Sequence, residues 1–201
     1  MLELEVKLAR GNMTLDACIH DEGCICLCGT NGSGKTTLLN VVAGNLAPNS
    51  GYVKVNSEDV TRLPQEKRGV VLVNPDSLIP HLEVEKHLRW GAAAKKIELP
   101  EEEVAEVKKR LGIAYSGRVD KLSLGMRERV SLATALLSAP KVILVDEAFA
   151  NIDHREEFVA AYRELCRSRH IDLVFTTQLQ ADAGLADHHY DIDEGKSSRR
   201  S

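Results

Sequence analysis

The chain has 201 residues, with 30 acidic against 26 Lys and Arg and a formal net charge of -4. Its pI near 6.0 argues against nucleic acid as a partner, because such an interface favours a basic face. A hydrophobic fraction of 43% suffices for a core, and the length predicts one domain with room for an inserted subdomain.

No apolar stretch approaches the ~18 residues needed to span a bilayer, and no charged start followed by an apolar region marks a secretory signal, so a cytosolic protein is expected. In Leu2 to Leu8, apolar residues alternate with Glu3, Glu5 and Lys7, the pattern of a half-buried strand. Gly11-Asn12 reads as a turn and Met13 to Ile19 as the returning strand. Cys24-Ile25-Cys26-Leu27-Cys28, bounded by Gly23 and Gly29, reads as a buried strand. Alternate strand residues point the same way ~6.7 Å apart, too far for two sulfurs on one tetrahedral Zn²⁺. Three of the five cysteines, Cys24, Cys26 and Cys28, are therefore expected as small buried hydrophobes in a reducing compartment.

Gly29-Thr30-Asn31-Gly32-Ser33-Gly34-Lys35-Thr36 then fits G-x-x-x-x-G-K-[ST], the phosphate-cradling P-loop. Glycines at 29, 32 and 34 let bare backbone approach a polyphosphate, whose oxygens the loop amides can surround. Lys35 brings a point charge to the terminal phosphates, and Thr36 a hydroxyl to Mg²⁺. The candidate nucleotide-binding residues are Asn31, Gly32, Ser33, Gly34, Lys35, Thr36 and Thr37. Lys35 to Ala43 has helical spacing and stops at Gly44, so the phosphates would face a helix N-terminus.

Beyond the turn Pro48-Asn49-Ser50-Gly51, Tyr52 to Val55 and the aliphatic run Val70 to Val73 read as strands. The middle is helical. Glu83 to Ala94 has helical residues, and Pro100 with three glutamates opens a helix striped by Val104, Val107 and Leu111 and ended by Gly112. Ser123 caps another helix that runs to Pro140, and its positive end near Gly125 is free to face an anion. Val142 to Val145 is a short aliphatic strand ending in Asp146 and Glu147, where α/β sheets place their ligands. Asp146 is placed to hold Mg²⁺, and Glu147 to orient or deprotonate a water. Leu173 to Phe175 is expected to close the sheet. His188-His189 near Asp187 and Asp191 reads as a solvated end rather than a metal site, since adjacent side chains diverge. Gly195 to Ser201 reads as a frayed tail.

In this order the motifs resemble the ATP-binding cassette (ABC) ATPases, across nearly the whole chain. Leu122-Ser123-Leu124-Gly125-Met126-Arg127 is similar to the family signature, Val142 to Glu147 to Walker B with its catalytic glutamate, and Ala150-Asn151-Ile152-Asp153 to the D-loop. Asn74 to Val84 is similar to the segment after the Q-loop of importer cassettes, nearest the molybdate, tungstate and thiamine subgroup. The resemblance implies an α/β P-loop NTPase core, residues 1–74 and 140–195, with an N-terminal antiparallel β subdomain. It also implies a helical subdomain at 75–139 and a tail at 196–201. It further implies binding and hydrolysis of ATP with Mg²⁺, and a second cassette whose Ser123 and Gly125 complete the first one's site. The cycle would drive a membrane-embedded permease subunit, with the cassette itself cytoplasmic and peripheral to the inner face of the cell membrane.

The departures bear on rate. Asn74 stands for the Q-loop glutamine, Leu124 for the first signature glycine and Met126 for the signature glutamine, while Thr177 stands for the switch histidine, with Gln178 beside it. Asn74 and Thr177 are thus the candidate catalytic residues beside Lys35 and Glu147. The alternative is a degenerate regulatory subunit that binds nucleotide with little turnover. A soluble ABC ATPase of DNA repair or translation would bring coiled-coil insertions or tandem cassettes, and neither is present. No Phe, Trp or Tyr precedes Tyr52, which leaves Met13, Arg10 or His20 to face the adenine.

Overall fold

The fold was analysed in a computed structural model, which describes every residue except Asn12 and Ser201. The second half of the expected Gly11-Asn12 turn and the last tail residue thus lie outside the described residues.

Strands β1 (Leu2–Arg10) and β2 (Met13–Asp21) pair antiparallel from Leu2↔Asp21 to Arg10↔Met13, and β4 (Ser50–Val55) pairs antiparallel with the other edge of β1. Their alternation puts Leu2, Leu4, Val6, Leu15, Ala17 and Ile19 into one core with the apolar face of helix α1 (Lys35–Ala43). Strand β3 (Cys24–Cys28) is buried along its whole length. It runs parallel to β8 (Asp172–Thr177), which runs parallel to β7 (Val142–Val145). With β5 (Glu58–Asp59), β6 (Val70–Val73), β9 (His188–Asp193) and β10 (Lys196–Arg200), they form one ten-stranded sheet in the order β5-β4-β1-β2-β10-β9-β3-β8-β7-β6.

Two expectations change here. The run at Leu173 to Phe175 does not close the sheet: β8 is interior, between β3 and β7, and β6 is the edge. Residues 196–200 are not a frayed tail either. They form β10, antiparallel to β9 and joined to β2 at Lys196↔Asp16, so the chain's last strands link the hairpin to the parallel strands. Their polar composition hides this role, because backbone pairing rather than apolar burial holds them.

Helix α1 stops where expected. Gly44 adopts φ 90° and its N–H returns to Asn40 and Val41. Arg68, buried, completes the end by donating to the carbonyls of Val41 and Val42 at 3.0 and 3.2 Å, and to those of Leu63 and Thr61. A cation at a helix C-terminus suits the macrodipole.

The chain divides into two compact units: Met1–Leu72 with Lys141–Asp146 and His170–Ser201, and Val73–Pro140 with Glu147–Arg169. The second is helical, with α2 (Val84–Ala94), α3 (Glu101–Arg110), α4 (Leu124–Leu137) and α5 (Arg155–Ser168). Helix α4 is buried along Val130 to Leu137, and Tyr162 of α5 donates its buried hydroxyl to the Leu132 carbonyl at 2.9 Å. Phe149, Phe158 and Tyr162 pack ring to ring at centroid distances of 5.9 to 6.2 Å. Among the described residues, no helix is long and apolar enough to cross a membrane.

Candidate functional site

The buried β3 delivers the chain into the P-loop. There Gly32 and Gly34 take φ values of 79° and 112°, a region that favours glycine, before α1 begins at Lys35. Gly29 serves a different need. A Cβ there would lie 2.3 Å from the Ile192 carbonyl of β9, so the root of the loop sits against that strand. The turn after β9 braces it too, since Gly195 N–H donates to the Ser33 carbonyl at 2.8 Å. Lys35 is buried, and its ammonium, with three hydrogens to place, donates to the loop carbonyls of Gly29 and Thr30 at 2.8 Å each.

The neighbouring strand ends meet this loop. Gly29 N–H donates to the Thr177 carbonyl at 3.2 Å, and Val145 pairs with Phe175, which brings Asp146 beside Thr176. Thr176 donates to Asp146 Oδ1 at 2.9 Å, fixing one carboxylate oxygen. Thr177 is buried, and its hydroxyl donates to Asp182, which is itself buried in the 3-10 turn Gln180–Leu185. The Thr177 hydroxyl also accepts from Leu179 N–H at 3.1 Å. The side chain at the switch position is thus held in a local turn. Sequence reasoning missed both Thr176 and Asp182, as neither lies in a recognised motif.

The loop residues fit a nucleotide's phosphates. The buried Ser33 Oγ has no hydrogen-bond partner, the glycines leave backbone bare, and Lys35 is available to an anion. Thr36 is exposed and Asp146 half-buried, and hydroxyl and carboxylate are the hard oxygen donors that suit Mg²⁺. Of the residues expected to face an adenine, Met13 lies against the loop, its Sδ 3.7 Å from where a Gly34 Cβ would be. Arg10 pairs with Met13 across the hairpin. His20 stands near the other end of β2 from Met13, beside Glu5 and Tyr52.

The remaining candidates lie in the second unit. Ser123 caps α4 by accepting from Met126 N–H, and Leu124 is 40% exposed. A Cβ on Gly125 would lie 2.4 Å from the Asn151 carbonyl, so this glycine is required by the close approach of the D-loop. Glu128, one helical turn on, braces that loop from beneath, accepting from Asn151 Nδ2 and N–H at 2.7 and 3.2 Å. Burial pushes its carboxyl pKa up, and the Asn151 hydrogen bonds work against that shift. Glu147 is exposed with φ 58°, its carbonyl accepting from Ala150 N–H. Asn74 Oδ1 accepts from Asp76 N–H and the Ser77 hydroxyl at 3.0 Å each, so its side-chain carbonyl serves its own turn.

Comparison with known proteins gives a consistent picture. The family model described as "ABC transporter" matches residues 13–150. The molybdate/tungstate import ATP-binding protein of Archaeoglobus fulgidus is 34% identical over 152 residues, covering 74% of this chain and 63% of its own length. The Fe(3+) ions import ATP-binding protein of Vibrio cholerae is 35% identical over 182 residues, covering 86% and 51%. The chain thus spans less than two thirds of the length of these relatives. Among solved structures, an ATP-binding subunit of an ABC transporter matches with TM-score 0.82 at 21% identity, over 100% of this chain and 90% of the other. A cassette described as a dimer in a post-hydrolysis state bound to ADP and Pi matches with TM-score 0.83 at 21% identity, over 100% and 98%.

Proposed function

The chain belongs to the ABC transporter family, and from that premise we propose that it is an ATP-binding, ATP-hydrolysing subunit that powers uptake of a small solute. The carrying observation is the meeting of three parallel strand ends. There a glycine loop with a buried lysine lies beside an aspartate fixed by Thr176.

In this reading Lys35 and the amides of residues 31–37 hold the β and γ phosphates, and Thr36 and Asp146 hold Mg²⁺. The metal, when bound, neutralises charge on the phosphate oxygens. Glu147 orients the attacking water. Ser123 and Gly125 act on the nucleotide of a second cassette, at the N-terminus of α4 where the helix dipole favours an anion. Relatives named as import ATP-binding proteins support a membrane-embedded permease as partner, and with it a place at the inner face of the cell membrane. Steady-state hydrolysis by the purified protein should fall by roughly 10² or more in Lys35→Ala and in Glu147→Gln, as when a transition-state donor is lost. Equal rates in all three proteins would overturn the assignment.

One observation favours a slower variant of this reading. Thr177 is tied to Asp182 and the Asn74 carbonyl to its own turn, so neither position offers the reach or charge that the family resemblance implies there. A nucleotide-binding regulatory subunit would bind MgATP and release little phosphate. Gain of turnover in Thr177→His would mark the scaffold as competent and the native chain as tuned down.

A further inference from the structure

We propose that Cys28, His189 and Asp191 form a binding site for Zn²⁺ or a similar borderline divalent ion, bridging β3 and β9 at the root of the phosphate loop. One ligand atom of each lies within 4.8 Å of the other two. The pairing of the strands explains why. Cys28 stands opposite Asp191 in the parallel register, and His189 is two residues earlier on β9, so all three side chains leave one face of the sheet. Two short cysteine side chains of β3 cannot close the ~6.7 Å between alternate residues of one strand, but the longer His189 and Asp191 side chains of β9 do, their ligand atoms lying 3.5 Å apart, and Cys28 joins them from the neighbouring strand.

Two further facts point to an ion. His189 Nε2 and Asp191 Oδ1 are buried without a hydrogen-bond partner, yet lie 3.5 Å from each other. Two ligands held at about 2.0–2.1 Å on a tetrahedral ion stand about 3.4 Å apart, so this pair already has the required spacing. The Cys28 thiol is 1% exposed, and burial, then the Asp191 charge, pushes its pKa up. A cation there would reverse that balance and take the thiolate, releasing the proton to solvent. Thiolate, imidazole and carboxylate together suit zinc or cobalt rather than magnesium. A cavity of about 580 Å³ has His189 and Arg200 in its wall. Arg200 is ion-paired with Asp191 through Oδ2, which leaves the buried Oδ1 for an ion. The proposal is independent of the nucleotide reading.

The test is titration of the full chain with Co²⁺, followed by absorption. One equivalent should produce a thiolate-to-cobalt charge-transfer band with the intense visible bands of tetrahedral cobalt, and Zn²⁺ should abolish them. Cys28→Ser should lose the charge-transfer band. His189→Gln and Asp191→Asn, which leave the strand before the loop untouched, should each weaken binding at least about tenfold. Cys18→Ser, which breaks the exposed Glu5, Cys18 and His20 grouping, should change nothing. No charge-transfer band in the native chain, a band removed by Cys18→Ser, or full affinity in both β9 variants would each overturn the proposal. The last result would leave His189 and Asp191 as an ion-paired cluster with Arg200.

Discussion

Thr176 shows how a residue outside every motif can govern one inside it. Its hydroxyl sets the Asp146 carboxylate, and Thr176→Val keeps the shape while removing that bond. Loss of an outer partner of a metal ligand typically costs 10- to 100-fold in affinity. On the proposed role of Asp146, the Mg²⁺ concentration that supports half-maximal nucleotide binding should rise about tenfold, with thermal unfolding little changed. The motif residues themselves were legible because chemistry fixes their spacing, as with Gly32, Gly34 and Lys35. Thr176, Asp182 and Glu128 were not, because a hydrogen bond across strands or between a helix and a loop leaves no periodic trace in the chain. Gly125 was legible as a glycine, but one further reason for it was not: its missing Cβ makes room for the Asn151 carbonyl.

Helix α1 is secured at its C-terminus by Arg68, which satisfies four carbonyls from buried ground. Arg68→Ala would strand several of them at about 1–3 kcal/mol each before relaxation and water entry, so a net loss of roughly 2–4 kcal/mol is expected in urea unfolding. Helices α2 and α4 meet at a buried polar contact. Ile79 N–H donates to His87 Nε2 at 3.1 Å, which leaves Nδ1 to donate to Thr134 Oγ1 at 2.8 Å and fixes the neutral ring. Burial lowers the pKa of His87 below its ordinary value of about 6.5. The unfolded chain therefore binds a proton at a pH where the folded one does not. The stability this imidazole contributes is whole above about 6.5 and is lost as the pH falls through the folded value. Between pH 7 and 5, the urea midpoint of the native protein should drop further than that of His87→Gln. Elements with strong apolar period were read well from sequence, α1, α3 and β7 among them. Helix α5 and strands β9 and β10 were not. The run of strand residues from His188 to Arg200 is dominated by polar side chains, and its identity comes from the partners on either side.

Across the whole molecule, the sheet is continuous only because β9 and β10 lie between β2 and β3. Removing residues 187–201 should leave the antiparallel strands and the parallel strands without a shared ladder. Circular dichroism would then follow a broad, weakly cooperative melt in place of a single transition. It would also loosen the phosphate loop, whose Ser33 carbonyl is held by Gly195 and whose root rests on Ile192. During synthesis this order imposes a wait. The phosphate loop is translated some 150 residues before the backbone that steadies it. At about 5–20 residues per second, the nascent chain spends roughly eight to thirty seconds with its anion cradle translated and its keystone missing.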